Sequence, residues 1–354
     1  MEKKNTFKTA LKRLTTKKNP LTVAMVAVLY AVITYLVYSG SASRQLSNML
    51  ISVSCYIVLA VSLNLVVGLL GELSLGHASF MSVGLFTGCQ LALTLHNAIP
   101  GMPFWVRLPL AMLFGGIMAA VVGFVVGLPA LRLKGDYLAI VTLACGEIIK
   151  SIITNLKIFG GALGLSTGPI YSNTKTLLPY AIALVFLTML LMMNLKKSRY
   201  GRAIMAVRDN RIAAESCGVN VTYFKLVVFM IAAFFAGAAG ALYGHNFANI
   251  KATTFDYNMS IEILVIVVLG GMGSVRGSII AAIVLRALPE MLREFSDYRM
   301  LVYSIVLIAI MLLNASPRFN ELRGRLTVKN IIAVLKKKKT PAEETVEVTA
   351  GGEK

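Results

Sequence analysis

Glu147 is the residue whose type and position most demand a chemical role. It lies inside an apolar block that runs from about 137 to 155. An ionised carboxylate deep in a bilayer costs roughly 2.5 kcal/mol or more on insertion scales. Such a group must face a polar interior, find a partner or stay protonated. Two roles stay open for it. It either stands beside a solute path, meeting a substrate ammonium, or makes a hydrogen bond between helices. Lys150, one helical turn further on, is placed to pair with it.

A second group sits at the start of another apolar block, 75–95. Ser74, His77, Ser79 and Ser82 gather there. Histidine inside a membrane is commonly functional, so Ser74 and His77 are candidates for a gate or pathway, placed near the inner interface. Asp256 and Glu262 fall near the outer end of a later block and read as interfacial, as do His96 and His245. The sequence has no Gly-x-x-x-x-Gly-Lys-Ser/Thr phosphate loop, no His-Glu-x-x-His and no Gly-x-Ser-x-Gly. Cys55, Cys89, Cys145 and Cys217 show no C-x-x-C spacing, so neither a metal site nor a disulfide framework is indicated. An enzyme embedded in the membrane would need clustered catalytic groups, and none is found.

The elements that position these residues follow from composition. The 354 residues are 57% hydrophobic and only 14% charged, with a mean hydropathy of +0.74. Soluble domains carry about 25% charged residues. The excess apolar residues come in blocks of about 20, the length that crosses a hydrocarbon core of ~30 Å as a helix. Helices satisfy every backbone group internally, as lipid demands. The fold class is therefore all-α and polytopic, with ten expected spans at 21–39, 48–70, 75–95, 107–131, 137–155, 178–195, 224–246, 258–272, 277–294 and 299–315.

The net charge of +19 is concentrated outside these blocks. Clusters fill the first 20 residues, the 196–211 stretch and the region after 316. With the N-terminus inside, the basic loops 132–136, 196–223 and 273–276 and the C-terminal tail all fall on the inner side. That is the positive-inside bias of an inner-membrane protein, and it removes the need for a nucleic-acid partner. Three parts follow: a basic segment 1–20, a membrane domain 21–315, and a basic tail 316–354. Residues 328–339 suit an anionic lipid surface, and 340–354 read as disordered. The 21–39 block, followed by Ser39-Gly40-Ser41-Ala42, mimics a signal peptide. Its length favours a retained span.

Three glycine-rich passages interrupt the blocks, at 68–80, 160–169 and 270–277. Irregular backbone at membrane depth survives only where it lines a cavity or is buried in protein, and such breaks point to solute paths. Gly270 and Gly271 join Ser74, His77 and Glu147 as pathway candidates. Ordinary tight loops are the alternative.

The longest inner loop, 196–223, is rich in helix formers. Ile204 and Val207 share a face, and Gly218 suits a helix C-cap. The shared apolar face needs lipid headgroups or a groove on a partner.

Here a resemblance becomes specific. Ala213-Ala214-x-x-x-Gly218 is similar to the core of the coupling loop in ABC importer permeases, although Ile212 stands where that family usually has an acidic residue. The stretches 64–80, Leu133-Lys-Gly-Asp-Tyr-Leu-Ala-Ile-Val-Thr-Leu-Ala-Cys-Gly-Glu147, Ser198-Arg-Tyr-Gly-Arg-Ala, Gly237-Ala-Ala-Gly-Ala-Leu-Tyr243 and Val268-Leu-Gly-Gly-Met-Gly-Ser274 resemble the LivM-type permease of branched-chain amino-acid importers, and together they cover about 50–318. The resemblance implies a ten-span permease, a second homologous permease subunit, two cytoplasmic ATPases and an extracytoplasmic binding protein. ATP and Mg would sit on the ATPases, with no cofactor in this chain. It also implies that Arg208, Arg211, Ala213, Ala214, Glu215 and Gly218 contact an ATPase. Importers of urea or short amides use similar permeases. An ion-coupled secondary transporter is the reading from another class.

Overall fold

The computed structural model describes residues 44–99, 101–133 and 135–291, together with Tyr30, Thr34 and five positions between 301 and 312. The expected first and tenth spans lie almost wholly outside these residues, as do the basic 1–20 segment and the tail from 316. One compact unit ends at Glu294 and a second begins at Phe295. In the second, Leu301, Ser304, Ile305, Ile308 and Leu312 are helical. The fold below belongs to the first.

Among the described residues, seven helices are long and apolar enough to cross a membrane: Ser47–Leu70, His77–Ala98, Phe104–Ala130, Asp136–Asn155, Thr174–Lys197, Val221–Gly244 and Ala252–Gly270. They coincide with the second to eighth expected spans. The ninth is the helix Val275–Met291, whose 17 residues reach only about 26 Å at ~1.5 Å per residue. The chain is an all-α, polytopic helical protein.

In chain order the helices are α1 (Arg44–Asn64), α2 (His77–Ala98), α3 (Phe104–Ala130), α4 (Asp136–Asn155), α5 (Thr174–Lys197), α6 (Arg199–Asp209), α7 (Arg211–Ser216), α8 (Val221–Gly244), α9 (Tyr257–Gly270) and α10 (Val275–Met291). α1 is almost wholly enclosed, its Ser52, Ser54, Ser62 and Asn64 buried with the apolar residues around them. It runs on into a π-helical turn, Leu65–Leu70, which stops at Gly71 with φ +79°. Only glycine takes that left-handed backbone without strain.

The densest packing joins α2, α3 and α8. Small residues at four-residue spacing let their backbones touch: Gly84 and Gly88 on α2, Gly240 and Gly244 on α8. A side chain at Gly84 would collide with the Gly237 backbone, and one at Gly240 with Met81 O. Lipid tails supply no hydrophobic drive between helices, so close backbone contact of this kind holds membrane bundles together. The α4 helix is the opposite case. Tyr137, Ile140, Ile148 and Ile152 stay exposed along it.

The second glycine-rich passage is an ordered connection between spans rather than a break within one. It forms short 3₁₀ turns and a two-residue strand, β1 (Leu165–Ser166), antiparallel to β2 (Asn249–Ile250). Thr167 N donates to Ala248 O at 2.9 Å and Ser172 N to His245 O at 3.1 Å. His245 is correspondingly buried beneath this staple, with Nδ1 2.8 Å from Ala241 O.

Candidate functional site

Two regions concentrate polar side chains: the 196–223 loop with the glycine breaks against it, and a cavity between α1, α8, α9 and α10. The loop is built first from its caps. Ser198 Oγ accepts from Gly201 N and starts α6. Asn210 Oδ1 accepts from Ala213 N and starts α7. Gly218, with φ +80°, ends α7. Val219 N donates to Ala214 O and Gly218 N to Glu215 O, both at 3.0 Å. That pair of bonds is a Schellman cap.

Ile204 and Val207 do share a face, and it is buried. They need neither lipid nor a partner, because α6 packs on α5, α8 and the 65–70 π turn of its own chain. Ala214 also points inward, at 5% exposure. The outward surface carries Arg211 and Glu215, paired at 3.0 Å, together with Ala213, Gly218 and Ile212. Ile212 is 77% exposed, a large apolar side chain with no covering among the described residues.

The loop is braced against the glycine passages at 68–80 and 270–277. Arg208 Nη1 donates to Gly68 O at 3.1 Å, and a Cβ on Gly71 would strike the Arg208 side chain. Lys196 Nζ donates to Gly273 O at 2.9 Å. Asn64 links the passages to each other, accepting from Gly273 N at 2.7 Å and donating to Ser278 Oγ at 2.8 Å. Gly270 lies against the backbone of Gly277 and Ser278, and Gly271 has φ +91°. These two glycines make the tight α9–α10 turn.

After Gly71 the chain doubles back into the bundle. Glu72 pairs with Lys225 of α8, both side chains largely buried. Leu75 N donates to Thr142 Oγ1 of α4 at 3.0 Å, and Ala78 N to Ser260 Oγ of α9 at 3.2 Å. Side chains of neighbouring helices thus satisfy backbone that has left helical geometry. His77 begins α2 inside the bundle at 2% exposure. Its Nε2 lies 2.8 Å from Ser62 Oγ on α1. The Ser62 hydroxyl donates to Leu59 O at 3.0 Å, which leaves its oxygen to accept the ring proton. Ser74 is buried, and its hydroxyl has no protein partner among the described residues.

Glu147 forms the expected ion pair with Lys150. It does more than that. Its Oε1 accepts from Tyr257 N at 3.1 Å, holding the first turn of α9 against α4. A carboxylate at a helix N-terminus also meets the positive end of the helix dipole. The five pathway candidates therefore do not converge. Glu147 lies at one end of α9, Gly270 and Gly271 at the other, and Ser74 and His77 on the doubled-back segment between α4 and α9.

The cavity was not anticipated. It encloses about 270 Å³ and is lined by Tyr56, Tyr243, Phe255, Met259, Glu262 and Arg286, among others. Arg286 Nη1 stands 3.5 Å from Glu262 Oε1. Tyr56 Oη donates to Glu262 Oε2 at 3.3 Å. The guanidinium of Arg286 lies over the Tyr56 ring, 4.3 Å from its centroid. Glu262 is thus held in a charged cluster. The sequence did hold a signal. Glu262 lies 11 residues before Gly273 and Arg286 lies 13 after it. Opposite charges nearly equidistant from a tight helix–helix turn lie at about the same level of the two helices.

Residues 45–313 match the family described as the permease component of the branched-chain amino acid transport system. The chain belongs to this family. The permease is 36% identical to the high-affinity branched-chain amino acid transport system permease protein LivM of Escherichia coli (strain K12), over 78% of this chain and 70% of that protein. It is 31% identical to the probable branched-chain amino acid transport permease protein LivM of Methanocaldococcus jannaschii, over 46% of this chain and 50% of the relative. It is 22% identical to the permease protein LivH of Salmonella typhimurium, over 76% and 92%. No solved structure matches the permease.

Proposed function

We propose that this permease is one membrane subunit of an ATP-driven importer of branched-chain amino acids. A second, homologous permease completes the path, and an extracytoplasmic binding protein delivers the substrate. Two cytoplasmic ATPases carry the ATP and Mg, since the sequence has no phosphate loop. Both termini lie in the cytoplasm, on the strength of the charge bias.

The observation that carries this reading is the construction of the 199–218 segment. Two capped helices present Arg211, Ile212, Ala213, Glu215 and Gly218 outward, while Arg208 ties the same segment to Gly68 and Lys196, at the end of α5 just before it, holds Gly273. A force applied to the exposed face would pass through these bonds to the ends of α1 and α9. Closure of the ATPases would then tilt those helices and open the path alternately to each side. Arg208 and Ala214 act within the chain in this scheme, Arg208 as the brace and Ala214 as the packed side of α7.

The test is uptake of labelled leucine by vesicles containing the whole importer. Uptake should require ATP and the binding protein. Uptake that follows a proton gradient without ATP overturns the reading. Gly218→Arg places a side chain at φ +80°, which costs about 1–2 kcal/mol, and sets a cation on the docking face. This variant should insert normally and co-purify with less ATPase.

A further inference from the structure

Among the described residues, α4 is the least enclosed of the seven long helices. It packs on α2 and more lightly on α3, α9 and the turns at 161–163 and 252–254. Its other side carries Tyr137, Ile140, Ala144, Ile148, Ser151 and Asn155, all exposed. Their three- and four-residue spacing makes one stripe along the helix. Glu147 and Lys150 border it, part-exposed, the Glu147 side chain at 36%. α3 carries a face of another kind. Leu110, Leu113, Ile117, Val121, Val125 and Leu128 stand out from it, and its one charged residue, Arg107, is buried. Glu147 is the twelfth of the 20 residues of α4, about 12 Å from the nearer end at ~1.5 Å per residue. A charge at that depth faces protein or water, not hydrocarbon. Lys150 does not carry the pair out to the headgroups. Its ammonium turns back to Glu147, toward the middle of the helix, where a snorkelling lysine would reach for the end.

We propose that the α4 stripe is the face on which the second, homologous permease seats, whereas the exposed face of α3 meets lipid. This rests on the importer reading and adds where its two membrane subunits touch. Of the partners in that reading, only the second permease reaches the middle of the bilayer. The binding protein and the ATPases lie outside the lipid. The stripe also has the composition of a helix contact in membranes. Ala144 and Ser151 are small enough for a facing helix to come near, and Ser151 and Asn155 bring polar groups of the kind that hydrogen-bond between helices there. Lys150 and Tyr257 N already engage the two oxygens of Glu147. The partner therefore keeps lipid away from the pair and need supply no compensating charge. The other exposed charges near the stripe, Arg132, Asp136 and Lys157, stand at the two ends of the helix, where headgroups and water receive them.

The test places the photocrosslinker p-benzoylphenylalanine in turn at Ile140, Ile148 and Ile152 on α4 and at Leu113 and Val121 on α3, in membranes containing the complete importer. The α4 probes should crosslink to the second permease and the α3 probes to lipid. Adducts from α4 to lipid alone, to a second copy of this chain or to its own expected first or tenth span overturn the proposal. Adducts to the second permease from α3 in place of α4 overturn it as well. A second readout needs no probe. Ile148→Trp should lower co-purification of the second permease about tenfold, and Val121→Trp should leave it within about twofold of wild type. Equal effects from the two tryptophans overturn the proposal too. In each of these failures, ATP-driven leucine uptake by the wild type leaves the importer reading standing. A wild-type chain that co-purifies with no second permease sinks both.

Discussion

Arg208 donates from Nη1 to the carbonyl oxygen of Gly68 at 3.1 Å, joining residues 140 positions apart. Gly68 lies in the π turn that ends α1, and Arg208 lies in the last turn of α6. One hydrogen bond therefore connects the inner loop to the most enclosed helix of the bundle. The cation suits both ends of the contact. It meets carbonyl oxygens at the C-terminal end of the π turn, where the helix dipole is negative, and it also pairs with Asp209 at 2.8 Å.

Arg208→Ala should weaken coupling more than folding. A hydrogen bond to a charged group contributes about 1.5–3 kcal/mol, so leucine moved per ATP hydrolysed should fall about tenfold while the protein still accumulates in membranes. Arg208→Lys should recover part of that ratio. An unchanged ratio in Arg208→Ala would show that force does not pass through this bond.

The Glu72–Lys225 pair should behave as a buried pair does. Lys225→Met leaves Glu72 alone in the bundle, and one oxygen of that carboxylate, Oε2, already lacks a partner among the described residues. Breaking such a pair costs about 3–5 kcal/mol, whereas replacing both members with apolar residues is often neutral. Lys225→Met should lower the thermal midpoint of the purified permease, and adding Glu72→Leu should return most of the loss. A double variant no more stable than the single one would refute this.

The glycine contacts among α2, α3 and α8 should tolerate no side chain. A Cβ on Gly237 would meet the Ala119 methyl and Gly115 O. Overpacking of this kind costs about 1–3 kcal/mol per site, so Gly237→Val should reduce the yield of folded, monodisperse protein. Gly101 has open space around its Cα, and Gly101→Ala should remain within about 0.5 kcal/mol of wild type. Size-exclusion profiles of the solubilised proteins compare the two directly.

Much of the architecture can be read from one-dimensional pattern. Blocks of apolar residues and the placement of lysine and arginine locate the second to eighth spans, the inner loop and its helix cap at Gly218. These features depend on neighbours in the chain: a run of apolar residues long enough to cross lipid, or a glycine where the backbone must turn left-handed. The pairing of Glu147 with Lys150 is equally local, being one helical turn.

Three-dimensional packing decided the rest. Whether the apolar face of α6 meets lipid, a partner or its own chain depends on the 65–70 turn, more than a hundred residues earlier. His77 is buried because the chain doubles back at Gly71, and no count of apolar residues reports a reversal. Glu262 and Arg286 are each an ordinary charge near the end of a span until the Gly270–Gly277 turn sets α9 against α10. Periodicity fixes which residues a helix presents, but which helix receives them is settled by shape, by glycines small enough for backbones to meet, and by buried polar groups that must each find a partner.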